Sequence, residues 1–260
     1  MSPSTSDVLA FMAAQLERQQ RYFGSKAPDR FLAYMGSTSA PGVHLSVSAH
    51  RVAGLERGVA ANELLVRLSG APPRTPRSRE IATVTLFSSY VGYQLKTRSA
   101  GPAPITSTAE GTSVRGGQVF TLHHSPFMMT AFEKVPVEEV LANVRASRFA
   151  LVGVGADANL SPRFCFHHEV RNGKLVLFHG DGLPLKTYLN LKSNPSMTRV
   201  VIDPETFEGY LATGTVAEFR AEEAPEAHAR ICAGFAAGGW GKPARTFRFV
   251  AETWAPIAPL

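Results

Sequence analysis

The feature that most constrains this chain is a repeat within its own sequence. Residues 30–52 (RFLAYMGSTSAPGVHLSVSAHRV) align without a gap with residues 148–170 (RFALVGVGADANLSPRFCFHHEV), at an offset of 118. A second pair of segments, residues 83–95 and 200–212, matches at an offset of 117 and shares a Gly-Tyr dipeptide. The offset is far longer than the repeat of a solenoid, so the pattern predicts a duplicated domain rather than an array of small units.

Each copy follows the same order of helix and strands. Apolar residues with a helical period cover residues 7–22 in the first copy and 135–147 in the second, where Pro136 stands at the helix start. Short apolar segments separated by turn residues follow each helix, and Asn172-Gly173 is a strong β-hairpin signal. Many short strands with close turns and few helices predict a β-rich α+β fold containing a barrel or sandwich.

The two copies differ between their third and fourth strands. The second copy has a helical pattern in PLKTYLNLKSNP (184–195), which its Asn-Pro dipeptide terminates. The first copy has APPRTPRSRE (71–80) at this place, and that segment is too rich in proline for such a helix. Residues 99–117 are rich in Gly, Pro, Ser and Thr, and they are predicted to form a loop or linker between the copies.

Composition and charge exclude several classes of function. The chain has 27 Lys and Arg against 21 Asp and Glu, a formal net charge of +6, and its basic residues are scattered. It has no helix-turn-helix, zinc-finger or aromatic-basic RNA signature, so we expect no nucleic-acid partner. No apolar run approaches the roughly 20 residues of a membrane span, and the N-terminus lacks a secretory signal. We therefore expect a cytoplasmic protein with no membrane partner.

The residue types that often carry metal or nucleotide chemistry form no known motif here. The two cysteines suit neither a disulfide framework nor a cysteine-rich metal site. The pairs His123-His124 and His167-His168 direct their members to opposite faces of a strand, so neither pair chelates one ion in the usual way. No metal site is predicted. The segment GVGADA (153–158) lacks the third glycine of a dinucleotide loop and is followed by no helix.

The second copy, at residues 158–219, resembles the FMN-binding split barrel of the pyridoxamine 5′-phosphate oxidase-like superfamily. The likeness lies in the order of elements: a small-polar-Pro turn, a strand and hairpin, a further strand, a short basic helix ending in Asn-Pro, and two strands. The C-terminal segment FRFVAETWAPI also resembles the closing strand of that superfamily, with its Trp. The resemblance implies two tandem split β-barrel halves with short flanking helices, a degenerate repeat at 1–125 and a repeat carrying the cofactor site at 126–260.

In that superfamily the FMN phosphate is held by basic and hydroxyl side chains of the second strand and the short helix. The resemblance therefore implies a phosphate site at Arg163, Lys186 and Thr187. It also implies that Asn159 and Ser161 contact the isoalloxazine edge or the ribityl chain. A dianionic phosphate independently favours an Arg fork, a Lys point charge and a helix N-terminus. We expect one FMN site per chain, because the first copy lacks the basic helix.

The implied function is that of an FMN-dependent oxidoreductase acting on a small molecule, with the flavin in the cleft between the two halves. His168 and Tyr188 are the candidate proton donors. Because split barrels are usually homodimers, this chain is expected to be a monomeric pseudo-dimer or a homodimer. Arg245 and Arg248 do not have the spacing of the Arg-Leu-x-x-Arg substrate motif of true pyridoxamine phosphate oxidases, so vitamin B6 oxidation is not expected.

Three alternatives stay open at this point, because a fold does not select a function. One is a haem-binding or haem-degrading protein on the same fold. Another is a deazaflavin in place of FMN. The third is a non-catalytic split barrel that has lost its cofactor.

Overall fold

The protein is β-rich, with few helices, as the sequence predicts. The computed structural model describes residues 4–22, 33–60, 63–71, 74, 77, 80–87, 91–98, 105–108, 111–116, 118–123, 136–144, 149–163, 165–182, 185–203 and 206–260. The helices in these residues are α1 (Thr5–Tyr22), α2 (Val137–Val144), α3 (Leu185–Ser193) and α4 (Pro225–Ala237). The first eight strands are β1 (Ala33–Ser37), β2 (Ser46–Arg57), β3 (Leu64–Leu68), β4 (Glu80–Phe87), β5 (Val91–Arg98), β6 (Ile105–Thr108), β7 (Gly111–Gly116) and β8 (Gln118–His123). The others are β9 (Phe149–Ala156), β10 (Asn159–Pro162), β11 (His167–Arg171), β12 (Lys174–Asp181), β13 (Ser196–Ile202), β14 (Gly209–Glu218) and β15 (Arg245–Ile257).

A seven-stranded antiparallel sheet has the order β10-β1-β13-β14-β15-β12-β11. Its two edge strands, β10 and β11, are separated in the chain only by residues 163–166. A link of that length spans at most about 18 Å. The sheet therefore curls until its two edges approach one another.

An eight-stranded antiparallel sheet has the order β6-β7-β3-β2-β9-β4-β5-β8. It also curls, because β5 and β7 lie near each other although four strands separate them in the sheet order. A side chain at Gly116 on β7 would overlap Leu95 on β5, so the close approach needs glycine there. The curled sheets are compatible with a split barrel, while the tandem arrangement of two such barrels remains a prediction.

The prediction of a loop over residues 99–117 was wrong for the described part of that segment. This part contains β6 and β7, and β7 pairs with all five residues of β3. Thr112 and Val114 on β7 are buried, while Ser113 between them is partly exposed. Thr and Val at alternate positions suit a half-buried strand, so the Gly and Ser content was a misleading signal here.

Strands from both predicted repeats occur in both sheets. β1 pairs with β10 and β13, and β9 pairs with β2 and β4. The helices follow the same exchange, because Val8 of α1 packs in the core of the seven-stranded sheet and Val140 of α2 in that of the eight-stranded sheet. Each predicted repeat thus gives its first helix and first strand to the sheet built from the rest of the other repeat. The boundary at 125/126 remains a prediction.

The two sheets are joined by a shared apolar cluster. It contains Tyr34 of β1, Leu151 of β9, Leu160 of β10 and Val200 of β13, all fully buried. On the far side of the seven-stranded sheet, α4 packs against β12 through a cluster that includes Phe235. Among the described residues, no helix is long and apolar enough to cross a membrane.

Candidate functional site

The short helix α3 is fastened to the seven-stranded sheet by buried polar side chains. The Asn159 amide donates hydrogen bonds of 2.7 Å to the hydroxyl oxygens of both Ser161 and Thr187. All three side chains are buried, so these bonds replace the water that the groups lose on folding. Three of the five residues predicted to bind the flavin thus lie together, with Thr187 in the first turn of α3 and the other two on β10.

A second buried amide continues this network toward β1. Asn190 donates one hydrogen bond to the Ser37 hydroxyl at 3.1 Å and another to the Asp157 carbonyl at 3.0 Å. Asn190 lies one turn after Thr187 on the same face of α3. The polar stripe made by these two residues holds α3 in one orientation over the ends of β1 and β10.

Lys186, the second residue of α3, faces solvent. Its ammonium lies 2.9 Å from an Asp157 carboxylate oxygen, and the two side chains are 44% and 53% exposed. An ion pair with this exposure contributes at most about 1 kcal/mol to stability. Lys186 is therefore available to an anion at the N-terminal end of α3, where the first backbone N–H groups of a helix have no intrahelical acceptor.

Tyr188 lies between cations rather than beside another proposed proton donor. The guanidinium carbon of Arg245 is 3.8 Å from the centre of the Tyr188 ring, and the Lys192 ammonium is 5.1 Å from it. Arg245 is the first residue of β15, and its backbone lies opposite that of Asp181 in the pairing of β15 with β12. A cation over the face of a tyrosine ring is attracted by the ring quadrupole, so Arg245 is held near α3.

His168 lies on β11, and no hydrogen bond or ring contact joins it to Tyr188 in the described part of the chain. Burial lowers the pKa of the half-buried His168, and the charges of His167 and Arg230 lower it further. Its neighbour His167 packs near the Phe178 ring, at 5.5 Å between centroids. Within the residues that the structure describes, no three His, Cys, Asp or Glu side chains are grouped so that they could hold a metal ion.

Arg163 is buried inside the curled sheet, away from the solvent-facing head of Lys186. Its side chain is 8% exposed, and one terminal nitrogen lies 3.9 Å from an Asp181 carboxylate oxygen. Burial lowers the pKa of Arg163, and the nearby Asp181 opposes that shift. The structure thus places the three predicted phosphate ligands in three environments. Arg163 lies inside the sheet, Thr187 lies on the buried face of α3, and Lys186 lies on the surface.

Sequence reasoning missed three charged or titratable residues beside Arg163. They are Arg199 on β13, and His179 and Asp181 on β12, and all are buried. The sequence does contain a signal for them, because they stand at inward-facing positions of strands in which every second side chain points to the core. Arg199 falls between Met197 and Val201 on the inward face, where an apolar residue is expected.

The same alternation on β12 begins with Leu175 and Leu177 and then places His179 and Asp181 on the inward face. A polar residue at a core position of a strand is unusual and informative. The sequence therefore contained a detectable signal for a buried polar site, although not for which residues meet there.

Comparisons with known proteins identify no family for this chain. No protein-family model matches it, and no curated protein matches it. Among solved structures, a tagged point variant of HupZ from Group A Streptococcus is similar over 38% of this chain and 79% of the HupZ chain, with 19% sequence identity and a TM-score of 0.30. A likeness of this size carries no argument about function, so the split-barrel resemblance rests on the sequence.

Proposed function

We propose that this chain is an FMN-dependent oxidoreductase that holds the cofactor phosphate at the N-terminal end of α3. The observation that carries the proposal is the position of Lys186, a half-exposed lysine in the first turn of α3. A helix N-terminus with an adjacent cation is a suitable binding site for a phosphate. The choice of FMN among phosphate-bearing cofactors rests on the sequence resemblance of residues 158–219.

The five predicted cofactor residues divide into an exposed head group and a buried support. Lys186 has the exposed head group, while Asn159, Ser161 and Thr187 are buried and bonded to one another. Arg163 is buried as well. We propose that Asn159, Ser161 and Thr187 act from behind the site, by fixing the direction of α3, and that Lys186 contacts the phosphate itself.

A second cation supports an anion at this end of the sheet. Arg245 is held over the Tyr188 ring, so its guanidinium keeps a defined place near α3. Lys186 can leave Asp157 for a phosphate at small cost, because that surface ion pair is weak. When bound, FMN supplies the hydride or electron transfer, and the protein supplies position and electrostatics. Tyr188 and His168 remain the proposed proton donors.

We propose one FMN per chain. In the first copy, the segment corresponding to α3 contains Arg74, and both terminal nitrogens of its guanidinium bind the Glu80 carboxylate. This hydrogen-bonded pair raises the pKa of Arg74 and lowers that of Glu80. An arginine already paired in this way is a poor phosphate ligand, so a stoichiometry of two would contradict the proposal.

The test is an absorption spectrum of the purified protein followed by titration with FMN. We expect saturable uptake and a roughly tenfold or larger rise in Kd for Lys186→Met, since a charge-assisted hydrogen bond contributes about 1.5–3 kcal/mol. Lys192→Met is the matched control, because it removes the same charge from the C-terminal end of the same helix. It should change the Kd little.

Other outcomes would overturn the proposal. A Soret band would favour a haem protein. A colourless protein that takes up no FMN would favour a split barrel without a cofactor. Equal effects of the two lysine variants would show that the N-terminal end of α3 does not bind the phosphate.

A further inference from the structure

The interior of the seven-stranded sheet contains an arginine that is almost fully enclosed. Arg199 is 1% exposed and points to the same face of β13 as the core residues Met197 and Val201. Burial lowers the pKa of Arg199 to about 10. The guanidinium therefore stays protonated at neutral pH, and a full positive charge lies within an apolar core.

Three further polar residues surround it, and we call the four together the buried arginine site: Arg199, Arg163, His179 and Asp181. One terminal nitrogen of Arg199 donates a 3.1 Å hydrogen bond to the carbonyl of Arg163, the residue that directly follows β10. The His179 ring is fully buried and stacks on Phe247, with 5.4 Å between ring centroids. Burial lowers the pKa of His179 well below its usual value, and the charges of Arg199 and Arg163 lower it further.

The hydrogen bonds of this site do not satisfy its donors. Nε and Nη1 of Arg199 have no acceptor within the described residues, and neither ring nitrogen of His179 has a partner there. Burying such donors without acceptors costs free energy, and more so for a charged group. These open N–H groups belong to two buried residues on β13 and β12, and Arg199 lies near enough to His179 for its charge to lower the pKa of that ring.

The charges of the site do not balance either. In the described part of the chain, the site contains two guanidinium groups and one carboxylate, that of Asp181, while the lowered pKa of His179 leaves its ring neutral at neutral pH. The Cys165 thiol lies near Arg199, but burial raises its pKa more than Arg199 lowers it, so it is not the missing anion. A water molecule supplies hydrogen-bond acceptors but no negative charge. One further negative charge would balance the charges of the described groups.

We propose that the buried arginine site binds a small oxoanion, held by the Nε–H and Nη1–H groups of Arg199 and by the N–H of His179. An oxoanion has several acceptor atoms around one charge, which matches the guanidinium fork. The shared chemistry is that of phosphate, sulfate or a carboxylate. The anion is either a free ion or the acidic group of a larger ligand. This site is separate from the surface site at Lys186 and does not depend on the proposed flavin.

The test measures thermal unfolding of the desalted full-length protein after refolding with inorganic phosphate, with sulfate or with sodium chloride at matched ionic strength. Refolding allows an enclosed site to fill. We expect phosphate or sulfate, but not chloride, to raise the Tm by about 3 °C when its concentration is roughly ten times the Kd. Arg199→Met should abolish this rise, and Lys192→Met, at an exposed position outside both proposed phosphate sites, should retain it. A rise that persists in Arg199→Met, or no rise in the unmodified protein, would overturn the proposal.

Two further measurements, one by NMR and one by FMN titration, complete the test. If Arg199→Met does not fold, the Arg199 Nε–H signal of the ¹⁵N-labelled protein is followed instead, with Arg199→Lys used to assign it. A phosphate-dependent shift of that signal supports the site, and an unchanged signal overturns it. Titration with FMN separates the two sources, because an Arg199→Met effect on FMN affinity indicates the acidic group of a larger ligand. An effect on phosphate alone indicates a free ion.

Discussion

The Thr38 hydroxyl donates a 2.6 Å hydrogen bond to the carbonyl of Ala156, which lies 118 positions further along the chain. The Ser39 hydroxyl donates to the carboxylate of Asp157 at 3.2 Å, across the same separation. This separation equals the offset of the internal repeat, so each residue touches its own counterpart. Two copies related by a two-fold axis bring equivalent residues together at that axis.

The exchange of β1 and β9 between the sheets predicts that the two halves fold only together. Residues 1–125 alone lack β9, and residues 126–260 alone lack β1, and each of these is an interior strand of its sheet. Co-expressed fragments should form a 1:1 complex with the circular dichroism spectrum and elution volume of the intact chain. A fragment that is folded and monomeric by itself would show that the exchange is not required.

Asn194 should be among the positions most sensitive to substitution. Its amide nitrogen donates to the carbonyls of Thr38 and Val43, at 3.1 and 2.8 Å. Its amide oxygen accepts from the backbone N–H groups of Gly42 and Ser196, at 3.2 and 3.1 Å. Asn194→Asp places an oxygen against two carbonyl oxygens, so we expect a loss of about 3 kcal/mol in the free energy of unfolding, measured with urea.

The control for this substitution is Asn172→Asp. Asn172 is exposed in a hairpin turn with a φ of 52°, a conformation that both Asn and Asp tolerate. Its free energy of unfolding should change by less than about 0.5 kcal/mol. Similar losses for both variants would contradict the role given to Asn194.

Thr187→Val tests whether the buried network fixes α3. The substitution keeps the shape of the side chain but removes the hydroxyl that accepts a hydrogen bond from Asn159. We expect a loss of about 1–2 kcal/mol in unfolding free energy, because one buried amide N–H is left without its acceptor. The same change at the exposed Thr215 of β14 should be neutral or slightly stabilising, since Val favours strands.

Stability should fall on mild acidification because of two buried histidines. Burial lowers the folded-state pKa of His179 well below its usual value and, to a lesser degree, that of His50. As the pH falls through about 6.5, these two histidines become protonated in the unfolded chain but stay neutral in the folded chain. The stabilisation is thus complete above about pH 6.5 and is lost as the pH falls from there toward the folded-state pKa values.

The check is the free energy of unfolding in urea between about pH 7.5 and 5.5. Each histidine contributes a slope of up to about 1.4 kcal/mol per pH unit. His179→Gln should remove its share of that slope, and His228→Gln, at a partly exposed position on α4, serves as the control. An unchanged slope in His179→Gln would mean that His179 is protonated in the folded state.

The candidate site was only partly readable from the sequence. The helical pattern in 184–195 predicted α3, which the structure places at Leu185–Ser193. Three of the five residues predicted to bind the cofactor, Asn159, Ser161 and Thr187, are joined by hydrogen bonds in the structure. Their contact with a cofactor stays a prediction, because in the structure they bond to one another. Arg199 was missed because a single cation in an apolar strand does not indicate a site until its neighbours on other strands are known.

The sequence by itself determined the local elements of this protein: the helices, most of the strands and the Asn-Pro stop after α3. These depend on periodicity and on neighbours only a few residues apart, so the pattern contains them. Only the tertiary structure decided that β1 and β9 exchange sheets, that Asn194 binds residues about 150 positions away, and that Arg199 lies near His179. Pairing across such distances is set by which surfaces bury one another, and local patterns are the same for either pairing.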